Sequence, residues 1–143
     1  MAVIAGMTNS FKQEILAGTH NLGSGGNTIK IALYTSSADI TPSTTVYSTA
    51  EEVTSSGYDA GGKTIVSQGI VLSGSTVYID FLDTDATWTG VTFSTRGALI
   101  YNATQSNKSI AVLDFGLEKT ITAGTFTVKF PTPDADDAII RIR

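Results

Sequence analysis

Few residues of this chain could carry acid–base or nucleophilic chemistry, and they are far apart in the sequence. His20 is the single histidine among 143 residues, and the chain contains no cysteine. A catalytic base needs a nucleophile or an orienting carboxylate beside it. No Gly-x-Ser-x-Gly sequence, the turn that presents a serine nucleophile, accompanies His20. We therefore interpret His20 as a surface or helix-capping residue, and we predict that the chain has no catalytic residue and is not an enzyme.

Two groups of aspartates are the main candidates for a ligand site. Calcium is bound by several carboxylate and carbonyl oxygens, and two carboxylates across an aromatic cleft can hydrolyse a glycoside. Neither group has EF-hand spacing, and aspartate also favours turns because its carboxylate accepts hydrogen bonds from nearby backbone. We predict solvated turns with no metal or cofactor. The alternative is a calcium- or carbohydrate-binding module that uses Asp83, Asp85 and Trp88. The two groups are Asp80, Asp83 and Asp85, and Asp134, Asp136 and Asp137.

The composition favours contacts with proteins over contacts with nucleic acid. Only 15% of the residues are charged, the net charge is −4, and the nine basic residues are scattered. Binding to a phosphate backbone needs clustered Lys and Arg, so we predict no nucleic-acid partner. A polar surface built from Thr, Ser, Asn and Gly has few charges to desolvate when it is covered. We interpret this surface as suited to assembly.

The elements that must position these residues are predicted to be strands. Segments with alternating apolar and polar residues recur along the chain, each bounded by Gly, Asn, Ser or Pro. The first strand is predicted over residues 28–34 and the last over residues 138–142. Gly97 is expected to separate two strands, and residues 116–124 to separate two more. The pattern predicts a single β domain over residues 1–143, an all-β antiparallel sandwich or barrel of about seven to eight strands.

One short helix is predicted at about residues 9–17. Ser10 and the residues before it can cap its start, and Gly18 is suited to its end. Phe11, Ile15 and Leu16 are assigned to one apolar face. A helix of this length is not stable alone. We expect it to cap the sheet or barrel, with an N-terminal arm that docks on a partner as the alternative.

A long segment without periodicity, residues 35–62, follows the first strand. It is rich in Ser, Thr, Ala and Gly, and loops of this length in compact domains are commonly functional. We predict that it is a contact or display loop, with Tyr47 and Tyr58 as candidate partner contacts. Trp88 is the third candidate, because tryptophan is enriched both in cores and at interfaces.

Short segments spread over nearly the whole chain form a recognisable series. They are Phe-Lys-Gln-Glu-Ile-Leu at 11–16, Lys-Ile-Ala-Leu-Tyr-Thr at 30–35, Gly-Tyr-x-Ala-Gly-Gly at 57–62, Thr-Arg-Gly-Ala-Leu-Ile-Tyr-Asn at 95–102, Ala-Val-Leu-Asp-Phe-Gly at 111–116, Ala-Gly-Thr-Phe-Thr-Val at 123–128, Phe-Pro at 130–131, and Ala-Ile-Ile-Arg-Ile at 138–142. In this order they resemble a family of small structural proteins of tailed bacteriophages. The resemblance brings no catalytic residues to this sequence.

The resemblance implies a component of the virus particle. The leading expectation is a capsid decoration (cement) protein that binds the major capsid protein and stabilises the head. It implies virion proteins as partners and a homo-oligomer, of which a trimer is one form. The alternative is a tail- or neck-associated protein, including a small domain of a receptor-binding apparatus.

The expected location is the virion, after synthesis in the host cytoplasm. The N-terminal residues lack the basic start and long apolar run of a secretory signal. No stretch approaches the roughly 20 apolar residues of a membrane-spanning helix. We therefore predict no membrane partner.

Overall fold

The chain folds into two antiparallel sheets and a short helix in the computed structural model, which describes residues 2–143. This architecture, with eight strands in the described residues, confirms the predicted all-β sandwich class and its short N-terminal helix. The elements are β1 Gly6–Met7, α1 Asn9–Leu16, β2 Ile29–Tyr34, β3 Lys63–Ile65, β4 Val71–Ser73, β5 Thr76–Ile79, a 3₁₀ turn Asp83–Ala86, β6 Thr87–Asn102, β7 Lys108–Thr127 and β8 Ile140–Ile142.

The larger sheet has the strand order β1-β7-β6-β2-β3, and the smaller sheet has the order β4-β5-β8. Strand β2 pairs with β6 from Ile29–Asn102 to Tyr34–Gly97. Nearly every residue of β2 and of the paired part of β6 is buried. Because β2 and β6 are buried on both faces, other parts of the chain must cover both faces of the larger sheet.

One face of the larger sheet packs on the main core, and the other face is covered by the segment 35–62. This segment contains no helix or strand, but Ala38 and Ile40 are 0% and 5% exposed. It is therefore a covering layer of the domain as well as a loop. The second core that it builds with the sheet consists of Ala32, Tyr34, Ala38, Ile40, Leu99, Tyr101 and Val112.

Strands β6 and β7 are longer than the sequence predicts. The expected break at Gly97 is wrong, because this glycine lies inside β6, where a Cβ atom would be 2.6 Å from the Leu113 carbonyl oxygen. Glycine here permits close approach of the backbone and does not end the strand. The expected break after residue 115 is a bulge: Thr95 pairs with Lys119 and Gly97 pairs with Asp114, so β7 has four residues where β6 has one.

The helix α1 begins and ends within one residue of the prediction. Its N-cap residue, Thr8, makes no side-chain cap bond, because its hydroxyl lies 3.3 Å from the Ile110 carbonyl oxygen. Phe11 is buried and Ile15 packs against the core, but Leu16 is 91% exposed. The assignment of Leu16 to the buried face is therefore wrong. Leu16 comes five residues after Phe11, and its side chain therefore points well away from the face that Phe11 and Ile15 share.

Candidate functional site

A buried carboxylate, that of Glu52, lies at the centre of the long segment 35–62. Its side chain accepts hydrogen bonds from the Tyr47 hydroxyl at 2.6 Å, the Tyr58 hydroxyl at 2.7 Å and the Gly61 amide at 2.8 Å. Glu52 itself is 6% exposed. A buried carboxylate is tolerated when its oxygens are satisfied by donors. Glu52 therefore joins three points of the segment to one another.

The same cluster joins the segment to the larger sheet. The Leu33 amide donates to the Tyr58 hydroxyl at 2.8 Å, and the Tyr101 hydroxyl donates to the Gly61 carbonyl oxygen at 2.6 Å. Gly62 lies so close to β2 that a Cβ atom would collide with the Ile31 carbonyl oxygen. The sequence Gly-Tyr-x-Ala-Gly-Gly thus places a phenol and two glycines where the segment crosses the sheet.

The phenols of this cluster are hydrogen-bond donors at neutral pH. Burial raises the pKa of Tyr58 and of Tyr47 well above the usual value, and the hydrogen bonds to Glu52 raise them further. Burial, together with the charge of Glu52, raises the pKa of Tyr101 to about 12. A protonated phenol beside a carboxylate donates to it. The hydrogen bonds of these phenols and of Glu52 therefore hold the backbone of the segment 35–62 on the larger sheet.

The three predicted partner contacts have different positions. Trp88 is 1% exposed, with its ring 5.8 Å from that of Tyr58 and 6.3 Å from that of Phe126. Tyr58 is 6% exposed. We therefore assign Trp88 and Tyr58 to the core and not to a contact surface. Tyr47 is partly exposed and stacks on Tyr101 at 4.6 Å.

His20 is not a surface residue, because its side chain is fully buried. The Asn102 carboxamide oxygen accepts from two backbone amides, so its nitrogen donates to His20 Nδ1 at 3.0 Å. His20 Nε2 then carries the proton and donates to Glu14 at 2.9 Å. Burial alone would raise the pKa of Glu14. The hydrogen bonds from His20 and Lys108 outweigh this effect and lower the pKa below its usual value. These contacts hold α1 on the larger sheet, which is the sheet-capping role expected for the helix.

The two aspartate groups meet in space, and four of the six carboxylates accept hydrogen bonds from backbone amides. Asp83 accepts from the Phe130 amide at 2.7 Å and Asp85 from the Val66 amide at 2.9 Å. Asp134 accepts from the amides two and three residues later. Within residues 2–143, no group of three His, Asp or Glu side chains is placed to hold a metal ion. Trp88 is buried, so a sugar bound at these aspartates would have no exposed tryptophan ring to stack on.

Asp80 differs from the solvated turn residue that the sequence predicts. It is 2% exposed; one carboxylate oxygen accepts from the Phe81 amide at 2.8 Å, and the other has no partner in the described part of the chain. Burial raises the pKa of Asp80, and the charges of Asp83 and Asp134 add to this rise, which outweighs the lowering by the hydrogen bond from the Phe81 amide. Asp80 is thus a buried acid near two others.

Exposed apolar side chains concentrate on the smaller sheet and on the residues that flank its β4–β5 hairpin. Leu72, Val77 and Ile142 form a row across β4, β5 and β8, because Val77 pairs with both of the others. This row continues the face of Ile79 and Ile140, which are buried in the core. The sheet therefore extends past the core with part of its apolar face uncovered. Ten large apolar side chains are exposed in the described residues, and six form what we call the apolar rim: Val66, Ile70, Val71, Leu72, Leu82 and Ile142.

A second apolar feature is an open groove beside the bulge of β7. Its volume is about 350 Å³, with Phe115 and Phe126 among its walls and Lys119 and Lys129 along it. Leu117, at the bulge, is 58% exposed. The lining of the groove and the apolar rim share no residue.

None of the family models, curated proteins or solved structures compared with the chain matches it. Within residues 2–143, no helix is long and apolar enough to span a membrane.

Proposed function

We propose that the chain is a structural component of a tailed-bacteriophage particle, a capsid decoration protein that binds the major capsid protein and stabilises the head. The observation that carries the proposal is the apolar rim. Soluble proteins that act alone rarely leave large apolar patches exposed, and the six exposed apolar side chains of the rim lie on or beside one small sheet. The resemblance of the sequence segments to phage structural proteins gives the kind of assembly in which the rim is covered.

The low charge of the rim suits a permanent contact. No charged residue occurs from Ser67 to Ile79, a stretch that includes β4 and β5. When a partner covers this surface, each Å² of apolar area removed from water stabilises the contact by about 25 cal/mol, and no charge in that stretch is desolvated. A decoration protein that must stay on its shell through dilution needs a contact of this type.

The rigidity of the domain supports the same proposal. The segment 35–62 would be mobile if it were only a loop, but Glu52 and the phenols hold it on the larger sheet. A surface that is already ordered loses little conformational entropy when it binds. The chain achieves this order without cysteine, and so without disulfide bonds.

Binding to separated particle parts tests the proposal. Labelled chain is mixed with purified heads that lack it and with purified tails, and bound label is measured after sedimentation. We expect saturable binding to heads, and weaker binding by Val66→Glu and Leu82→Glu, which place charge on the rim. Leu117→Glu is the matched control, since Leu117 is a similarly exposed residue outside the rim.

Three outcomes would contradict the proposal in different ways. Binding to tails and not to heads would assign the chain to the tail or neck. Binding to neither would remove the particle assignment. Head binding that is unchanged in Val66→Glu and Leu82→Glu but lost in Leu117→Glu would keep the head and move the contact to the groove beside β7.

A further inference from the structure

The outer edge of β4 is free in the described chain. β4 pairs with β5, and β5 pairs with β8 on its other side, so β4 is an edge strand. All three of its residues are exposed, and Leu72 is 70% exposed. A free edge presents unpaired amide and carbonyl groups to any strand that approaches.

The hairpin turn determines which groups point outward. Gly74 and Ser75 form the two-residue turn between β4 and β5, with Gly74 at φ +60° as a type II′ turn requires. In such a hairpin the closing pair, Ser73 and Thr76, exchanges hydrogen bonds. The alternation of the ladder then directs the amide and the carbonyl of Leu72 away from β5. Leu72 therefore offers one donor and one acceptor at the outer edge.

This edge lacks the usual protection against strand pairing. Natural edge strands commonly carry a charge or a proline that blocks a second strand. β4 has neither, and the nearest charged residues in the sequence are Lys63 before the hairpin and Asp80 after it. The side chains on and beside the strand are apolar and exposed, with Ile70 at 57% and Val71 at 37%.

We propose that a second copy of this chain pairs with β4 edge to edge, in antiparallel fashion, around a twofold axis at Leu72. Leu72 then faces Leu72 of the second copy, and the two residues exchange two backbone hydrogen bonds. Val71 faces Ser73 of the second copy. The two three-stranded sheets become one sheet of six strands, and the rows that contain Leu72, Val77 and Ile142 join across the axis.

Self-pairing at β4 is favoured by the charges of the sheet. At β4 the pairing sets an apolar side chain against itself and brings no like charges together. The opposite edge of the same sheet is β8, Ile140–Ile142, whose central residue is Arg141. The equivalent self-pairing there would place Arg141 against itself, and like charges directly opposite are destabilising. The proposal does not depend on the particle that contains the chain.

Sedimentation velocity of the full chain over a range of concentrations tests the proposal. We expect a dimer in the wild type. Leu72→Lys and Leu72→Glu should each raise the dimer dissociation constant by at least about 100-fold, because each sets two like charges at the axis. Mixing the two variants in equal amounts should restore the dimer, because a residue on a twofold axis faces its own equivalent. Leu117→Lys is the control and should dimerise as the wild type does.

Circular dichroism and the melting temperature of each variant show that it is folded, and the restored dimer of the mixture shows it independently. A wild type that is monomeric at every concentration would overturn the proposal, as would a Leu72→Lys variant that still dimerises. A mixture that stays monomeric would overturn the twofold pairing. A monomer that binds heads would remove this proposal and leave the particle proposal in place; a Leu72-dependent dimer that binds no particle part would do the reverse.

Discussion

Removal of the Glu52 carboxylate should release the segment 35–62 from the larger sheet. Three donors converge on this side chain, and those of Tyr58 and Gly61 are buried. Hydrogen bonds to a charged group contribute about 1.5–3 kcal/mol each, and a buried donor left without a partner costs about 1–3 kcal/mol. The Tyr47 hydroxyl is partly exposed and can bind water instead. We therefore expect Glu52→Ala to lower the free energy of unfolding by about 3–5 kcal/mol.

The loss should be visible as a change in melting temperature. For a chain of this length, about 1 kcal/mol corresponds to about 3 °C, so Glu52→Ala should melt about 10–15 °C below the wild type. Glu52→Gln keeps the shape and one acceptor oxygen, and it should cost about 1–2 kcal/mol. Thermal unfolding followed by circular dichroism, together with urea titration, measures both quantities.

A matched control lies next to Glu52 in the sequence. Glu51 is exposed, and its carboxylate contacts only the Thr35 hydroxyl, at 3.5 Å, among the described hydrogen bonds. Glu51→Ala should change the free energy of unfolding by no more than about 0.5 kcal/mol. If Glu52→Ala were as stable as Glu51→Ala, the carboxylate would not hold the segment, and the account of this cluster would be refuted.

Three further replacements test other parts of the structure. Gly62→Ala should destabilise the chain by more than about 3 kcal/mol, because its Cβ would meet the Ile31 carbonyl; Gly18→Ala, at positive φ with open space, should cost about 1–2 kcal/mol, and equal losses would contradict the close approach. Asp80→Asn should gain stability relative to the wild type as pH rises: a carboxyl whose pKa is raised by burial stabilises the native state fully below its unfolded pKa, and this stability is lost as pH rises through the folded pKa. If the stability difference between Asp80→Asn and the wild type stayed constant from about pH 3 to pH 7, the pKa of Asp80 would not be raised in the folded state. Trp88→Ala should cost about 3–5 kcal/mol in unfolding experiments, as expected for a buried aromatic ring, and a loss below about 1 kcal/mol would contradict its place in the core.

The elements with a local signal could be predicted from the sequence. Strand β2 lies at Ile29–Tyr34, within the range 28–34 that the sequence predicts, because its alternation of side chains is a property of neighbouring residues. The helix α1 could be located from its caps and apolar spacing. Leu16 shows the limit of apolar spacing as a signal, because each residue of an α-helix is rotated by about 100° from the one before it, so Leu16 is exposed although Ile15 packs on the core.

The candidate site could not be predicted, because its contacts join distant residues. Glu52 is bound to Tyr47, Tyr58 and Gly61 within the segment, and Tyr101 joins them from strand β6. The sequence shows only that the segment lacks periodicity. The same reason applies to His20, whose buried position depends on Asn102, 82 residues further along the chain.

The apolar rim did have a sequence signal. The thirteen residues from Ser67 to Ile79 contain no charge and include Ile70, Val71 and Leu72. An uncharged hairpin of this kind predicts either burial in the core or a contact surface, and the pattern alone does not separate the two. The structure separates them, because β4 lies at an edge of the smaller sheet and all three of its residues are exposed.

A density map of the purified particle by cryo-electron microscopy tests the central claim most directly. The proposal predicts density on the outer surface of the head that fits the two-sheet domain, with the apolar rim covered by protein. A particle map that contains no such domain on the head, or that contains it only on the tail, would contradict the assignment to capsid decoration.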